Sequence, residues 1–244
     1  MLPILYQSPD LILYSYPLLM GIGWGVAYQI YFACQSPEVS RFKAQLLFWG
    51  VFLFAWIGAK LLFFITYPEE LNHNLMSEMS FWTGGGFVFY GGFLGALLFL
   101  LGFKIFDRSL KFIALWPMLP ALALGHSIGR IGCFLAGCCF GKPTEFFWGV
   151  FMHNHDRHPT QLIESFGLFF IGLHLLKSSS SKFLLTSHYL IFYGVLRFAV
   201  EMLRGDLVRG SWGLLTPSQW ISILLIFSGL LLRLFPKFSN LRNN

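Results

Sequence analysis

Charge is what this chain lacks. Only 11% of its 244 residues are Asp, Glu, Lys or Arg, against about 25% in a soluble domain. With 56% hydrophobic residues, 19% aromatics and a mean hydropathy of +0.64, that deficit excludes a soluble globular protein and indicates an integral membrane protein. Long polar segments are missing as well, so residues 1–244 read as a single polytopic membrane domain. No internal repeat at solenoid or transporter-half spacing is visible. Cysteine is scarce. Of four, Cys133, Cys138 and Cys139 fall within seven positions, which does not look like a disulfide framework. The start, Met-Leu-Pro-Ile-Leu-Tyr, has no basic region before an apolar core, so no cleavable signal peptide is expected.

Apolar runs are what the chain has instead. Stretches near 12–34, 44–67, 86–106, 112–136, 159–177, 183–203 and 218–235 are each long enough to span a bilayer. They predict an all-α protein with about seven transmembrane helices, the run at 112–136 being interrupted by polar residues in its second half. Loops 35–43, 103–111, 177–182 and 233–244 hold ten Lys and Arg, against four in 1–11, 68–85, 137–158 and 204–217. Cationic loops stay cytoplasmic, so the N-terminus is expected outside and the C-terminus in the cytoplasm. The net charge of +6 belongs mostly to that cytoplasmic belt. It suits contact with anionic lipid and gives no reason to expect nucleic acid.

Arg130 lies in an otherwise apolar run, Ala121-Leu-Ala-Leu-Gly-His126-Ser-Ile-Gly-Arg130-Ile-Gly-Cys133. An arginine inside a bilayer costs about 2.5–3.5 kcal/mol on insertion scales. It needs an interface, an acid or a polar cavity. Its five-donor fork suits carboxylate or phosphate, and the abundant partner of that shape in a membrane is a phospholipid head group. A second cluster, Tyr193, Arg197, Glu201 and Arg204, follows steps of four and three that predict one helical face. Its bland reading is an ion pair at a helix end. Two arginines from different helices facing one cavity would clamp a phosphate.

A third group opens the fifth expected transmembrane helix, His158-Pro159-Thr160-Gln161-Leu-Ile-Glu164. Proline suits a first helical turn, and Gln161 and Glu164 share a face, as a helix start or as part of a site. His126 precedes Arg130 by one turn and is read either as a packing residue or as a proton carrier. Cys133, Cys138 and Cys139 follow a C-x4-C-C pattern without the paired spacing of a structural zinc site. His153, His155 and His158 lie near enough in sequence to complete one, but small packing residues or a redox pair fit the spacing as well. The glycines at 84–86, 91, 92 and 95, and at 125, 129 and 132, suit close helix packing or irregular backbone lining a cavity.

Read together, these segments resemble the bacterial prolipoprotein diacylglyceryl transferase family along nearly the whole chain. Tyr16 matches an early tyrosine of the first helix, and Gly58-Ala59-Lys60 is similar to the family's Gly-Ala-Arg. Phe89-Tyr90-Gly91-Gly92 ends a glycine-rich stretch similar to one that closes on His-Gly-Gly. Gly129-Arg130-Ile-Gly132-Cys133-Phe-Leu-Ala136-Gly137-Cys138-Cys139-Phe-Gly141 resembles the signature Gly-Arg-x-Gly-Asn-Phe-x-Asn-x-Glu-x-x-Gly. The blocks at His158–Glu164, Tyr193–Arg204 and Leu215-Thr-Pro-Ser-Gln219-Trp220 match three more.

The resemblance implies a multi-pass enzyme of the bacterial inner membrane. It would bind phosphatidylglycerol, or a similar anionic phospholipid, and pass the diacylglyceryl group to a cysteine thiol of a lipoprotein precursor. It implies catalytic roles for Tyr90, Arg130, Arg197, His126 and Glu164. Substrate contacts would fall to Tyr16, Gly91, Gly92, Gly129, Cys133, Gly141, Gln161, Tyr193, Glu201 and Arg204, and neither metal nor cofactor is expected. Five positions depart from the family pattern: Tyr90 replaces a histidine, Cys133 and Ala136 replace asparagines, Cys138 replaces an acid, and Trp116 stands where an acid is usual before Pro120. The phosphate-binding half is thus retained and the thiol-activating half altered. The rival readings are a non-catalytic lipid- or lipoprotein-binding paralogue, a transferase with another acceptor, and chemistry run through the three cysteines.

Overall fold

A computed structural model describes residues 1–8, 12–68, 87–108, 112–205 and 213–234. The chain is an all-α membrane protein. Among the described residues the seven long helices are α1 (Ser15–Ala33), α2 (Arg41–Thr66), α3 (Phe89–Phe106), α5 (Met118–Ala136), α6 (Thr160–Lys177), α7 (Lys182–Leu203) and α8 (Pro217–Leu234), and α4 is the four-residue turn Phe112–Leu115. Helices α2, α5, α7 and α8 are long and apolar enough to cross a membrane, and α3 is apolar over Tyr90–Phe106. Every expected run contains one long helix. The run at 112–136 is divided at Trp116–Pro117, because proline disfavours helical backbone in the residue before it and offers no N–H.

Two hairpins were not foreseen from hydropathy. Strand β1 (Ile4–Gln7) pairs antiparallel with β2 (Ile12–Tyr14), taking the first residues of the run expected as helix. Strand β3 (Val150–Met152) pairs with β4 (His155–Arg157) through His153 and Asn154, whose φ angles of 49° and 64° are those of a two-residue type I′ turn. The triplet Gly84-Gly85-Gly86, the loop 206–212 and the C-terminal residues 235–244 lie outside the described residues.

The chain divides into two compact units, Met1–Ile30 with Met118–Asn244, and Tyr31–Pro117. In the second unit, α2 and α3 approach through glycine. A Cβ on Gly58, Gly91 or Gly95 would strike backbone of the facing helix, and Phe54 packs on Phe99 at 5.1 Å between ring centres. In lipid no hydrophobic effect draws helices together, so such close backbone packing has to hold them.

The first unit uses the same device between α1 and α5. A Cβ on Gly125 would lie 2.8 Å from the Gly23 carbonyl oxygen and 3.1 Å from Ala27 Cβ, and one on Gly132 would meet Leu19 and Tyr16. Helices α5 and α6 are joined by a reciprocal pair: Ser127 Oγ donates to the Ser165 carbonyl and Ser165 Oγ to the Ser127 carbonyl, both at 2.8 Å. Helices α7 and α8 are joined by Ser187 Oγ donating to the Gly229 carbonyl at 2.6 Å. These small-residue seams set the rotation of α5, α6 and α7 about their axes, and with it the direction of their charged side chains.

Candidate active site

Four charged side chains form one chain of contacts inside the first unit. Arg130 of α5 donates through Nη2 to Glu164 Oε2 on α6. Arg197 Nη1 of α7 lies 3.4 Å from that same Glu164 oxygen, and its Nη2 donates to Glu201 Oε2 at 2.6 Å. The sequence leaves open whether the arginines face each other. In the fold they converge on one carboxylate. Arg130 is 8% exposed and Glu164 1%, a depth at which an unpaired charge would cost several kcal/mol.

The positioning residues come from three helices. Ser127 and Ser165 lie one turn or less from Arg130 and Glu164, so their reciprocal bonds hold the α5–α6 seam where the ion pair forms. Helix α8 begins with a capping box: Gln219 N–H donates to Thr216 Oγ1 at 3.3 Å, and Thr216 N–H donates to Gln219 Oε1 at 3.0 Å. Pro217 takes the first helical position, which suits its missing N–H. The cap is aimed at the network. Thr216 Oγ1 donates to Glu201 Oε1 at 3.1 Å, and Arg197 Nη2 donates to Ser218 Oγ at 3.1 Å. None of Ser127, Ser165, Thr216 and Ser218 was a candidate from sequence. The T-x-x-Q spacing was legible as a helix start, but its contact with α7 was not.

Two of the expected residues sit differently. Tyr193, Arg197 and Glu201 do share a face of α7, but Arg204 does not continue it. The helix ends at Leu203, and Arg204 is an extended cap residue that bridges Gly141. The helical period that assigned Arg204 to that face therefore stops one residue short of it. Tyr193 turns towards His126, ring edge to ring face at 6.0 Å, and stacks on Tyr189 at 5.8 Å. Two buried polar atoms of the site, Arg130 Nε and Gln161 Oε1, have no hydrogen-bond partner among the described residues.

The loop after α5 is held against the start of α6. Gln161 Nε2 donates to the Cys138 carbonyl at 2.6 Å and Thr160 Oγ1 to the Cys139 carbonyl at 2.9 Å. Trp148 Nε1 donates to His158 Nδ1 at 3.0 Å, and Arg157 Nη1 donates to the Gly141 carbonyl at 3.1 Å. Gly141 is pressed against His158 so closely that a Cβ would strike the carbonyl of that residue. Gly129 faces Met20, whose sulfur would lie 3.0 Å from a Cβ, and Tyr16 covers Gly132 beside Cys133. Arg130 Nη1 is 3.8 Å from Cys133 Sγ.

Tyr90, Gly91 and Gly92 belong to the second unit. Tyr90 stands in the first turn of α3 and is 38% exposed. The glycines beside it do not leave open backbone: Gly91 packs on Gly58 and Leu62, and Gly92 on Ala55 and Ala59 of α2. Close approach is needed there, but by a helix. Val88 N–H donates to the Ala59 carbonyl at 3.2 Å, and Lys60, 3% exposed, sets its ammonium 4.3 Å from the Phe87 ring centre.

Residues 3–235 match the family described as prolipoprotein diacylglyceryl transferase. The chain belongs to that family. It is 37% identical over 188 residues, 71% of this chain and 73% of the relative, to the phosphatidylglycerol–prolipoprotein diacylglyceryl transferase of Clostridium tetani. It is 34% identical over 238 residues, 90% of either chain, to a second enzyme of that name from Clostridium perfringens. The corresponding enzyme of Finegoldia magna is 33% identical over 232 residues, 92% of this chain and 91% of the relative. Family membership accounts for the order of the motif blocks along the chain, from the first helix to the start of α8.

Proposed function

We propose that this protein transfers the diacylglyceryl group of phosphatidylglycerol to the cysteine thiol of a lipoprotein precursor, in the bacterial inner membrane. The observation that carries the reading is the convergence of Arg130 and Arg197, from α5 and α7, on Glu164. Two guanidiniums on one oxygen are spaced to share one anionic group. A phosphate entering there would take hydrogen bonds from both forks, and Arg130 Nε is a buried donor that a phosphate oxygen would satisfy. The relatives' names supply the donor and acceptor.

In the step itself the thiolate sulfur bonds to the terminal glyceryl carbon, the bond from that carbon to the phosphate oxygen breaks, and glycerol phosphate leaves. Negative charge grows on the leaving phosphate, and fixed arginines aimed at it lower the barrier. The thiol proton must go to a base. Glu164 is the carboxylate nearest both arginines, and His126 is one turn from Arg130, so these two are the proposed acceptors within the first unit. Tyr90 is proposed to orient the acceptor thiol.

The test is direct. Full-length protein in phosphatidylglycerol vesicles should add one diacylglyceryl group to a precursor peptide, read by mass, and the same gene should rescue a bacterium depleted of its own transferase. Lipid binding without transfer in both assays would instead establish the non-catalytic paralogue, which the exchanges at Tyr90, Cys133 and Cys138 favour.

A further inference from the structure

Three thiols meet at the C-terminal end of α5. The Sγ atoms of Cys133, Cys138 and Cys139 all lie within 4.8 Å of one another. The C-x4-C-C spacing has no resemblance to a metal motif, and it is the way the helix ends that gathers the sulfurs. Gly137, at φ 75°, lets its own N–H donate to the Phe134 carbonyl at 3.1 Å and the Cys138 N–H to the Cys133 carbonyl at 3.1 Å. That pair of bonds is a Schellman motif, which brings the side chains of the first and last residues together. Cys138 Sγ accordingly lies 3.6 Å from the Cys133 carbonyl oxygen.

The third sulfur is brought in by an unfavourable backbone. Cys139 has φ 59°, a region that costs a residue with a Cβ about 1–2 kcal/mol. The carbonyls of Cys138 and Cys139 are each gripped by the start of α6 through Gln161 and Thr160. The turn is therefore held from outside in a conformation that points three sulfurs at one place. Cys133 is buried, Cys139 half-buried and Cys138 exposed, which leaves an entry path on one side.

We propose that Cys133, Cys138 and Cys139 form a three-thiolate site for a thiophilic d10 cation, Cu(I) or Zn(II). Three sulfurs bound at about 2.3 Å to one ion stand roughly 4 Å apart, a separation the present spread reaches by small side-chain rotations. The donor set is sulfur alone. Soft thiolates select such ions, while carboxylates and waters suit magnesium or calcium. Arg130, 3.8 Å from Cys133 Sγ, supplies positive charge beside a site that becomes anionic. Binding forms three metal–sulfur bonds and releases the thiol protons to buffer. The site does not depend on the transferase reading.

The experiment uses full-length, metal-free protein in detergent, reduced and kept anaerobic. Cu(I) is offered against bicinchoninate and Zn(II) against a chromophoric chelator, in separate arms. One ion per chain should be held against the competitor in at least one arm, and free thiols should fall from four to one by alkylation. Cys138→Ser and Cys139→Ser, both outside α5, should each weaken binding by more than the roughly 10–100-fold that loss of a residue merely supporting a ligand costs, while Cys34→Ser leaves it unchanged. Size-exclusion elution and thermal unfolding of the metal-free variants, matched to the parent, separate ligand loss from misfolding. Binding in both arms no tighter than to a Cys133→Ser, Cys138→Ser, Cys139→Ser triple variant would overturn the proposal.

Discussion

Glu164 joins two arginines that lie thirty-three and thirty-four positions from it in the chain, and each would be expensive to bury alone. Its removal should therefore be felt first as stability. Glu164→Gln leaves Arg130 without its carboxylate, and breaking a buried ion pair costs about 3–5 kcal/mol. A clear drop in thermal unfolding temperature in detergent is expected, and an unchanged one would mean that water already screens the pair.

The arginines should behave differently. Arg130→Lys and Arg197→Lys keep the charge but lose the planar fork, so the fold should survive while binding of phosphatidylglycerol in a vesicle assay falls about tenfold or more, the scale of one lost charge-assisted hydrogen bond. Normal binding by both variants would make the arginines structural. At Tyr90 the question is the hydroxyl. If it orients the acceptor, Tyr90→Phe abolishes transfer with the fold intact and Tyr90→His restores it. Full turnover by Tyr90→Phe would rule the hydroxyl out of the reaction and leave proton transfer to Glu164 and His126 alone.

Helix ends and helix seams carry the site at the next scale. The capping box of α8 stabilises its own helix and also places Thr216 and Ser218 on Glu201 and Arg197. Thr216→Val keeps the shape but removes both the cap and a bond to Glu201. A loss of about 0.5–2 kcal/mol is expected for the cap alone, and a larger fall in unfolding free energy would measure the contact with α7. The α1–α5 seam gives a cleaner contrast. A methyl group at Gly125 meets the Gly23 carbonyl oxygen, whereas one at Gly25 meets nothing within 4 Å among the described residues. Gly125→Ala should lower stability and transfer activity together. Gly25→Ala should be neutral or stabilising by about 0.5–1 kcal/mol, since alanine loses less freedom in a helix. Equal behaviour of the two, by thermal unfolding and turnover, would show that the seam is not tight.

For the whole molecule the decisive quantity is the ten-to-four division of cationic residues between alternate loops. A reporter fused after Asn244 should read cytoplasmic, and one placed in 142–158, in the loop that carries the β3–β4 hairpin, should read external. A cytoplasmic reading from the hairpin would reverse the orientation and place the start of α6 and the three thiols on the wrong side for an exported precursor.

What the sequence alone determined follows from composition and period. Too few charges and seven apolar runs require membrane helices, because hydrocarbon leaves backbone groups no partner but each other. The order of the motif blocks identified the family, and Arg130 announced a site because a charge in such a run needs a reason. The fold alone decided the partners. Glu164 came to Arg130 and Arg197, Thr216 to Glu201, and Cys138 to Cys133, because helix rotation and the turn at Gly137 depend on glycine and serine seams, and hydropathy does not register them. Arg204 left its predicted face where α7 ends, and Gly91 and Gly92 were taken up by α2. Such choices rest on steric fit between distant segments, and no local pattern encodes them.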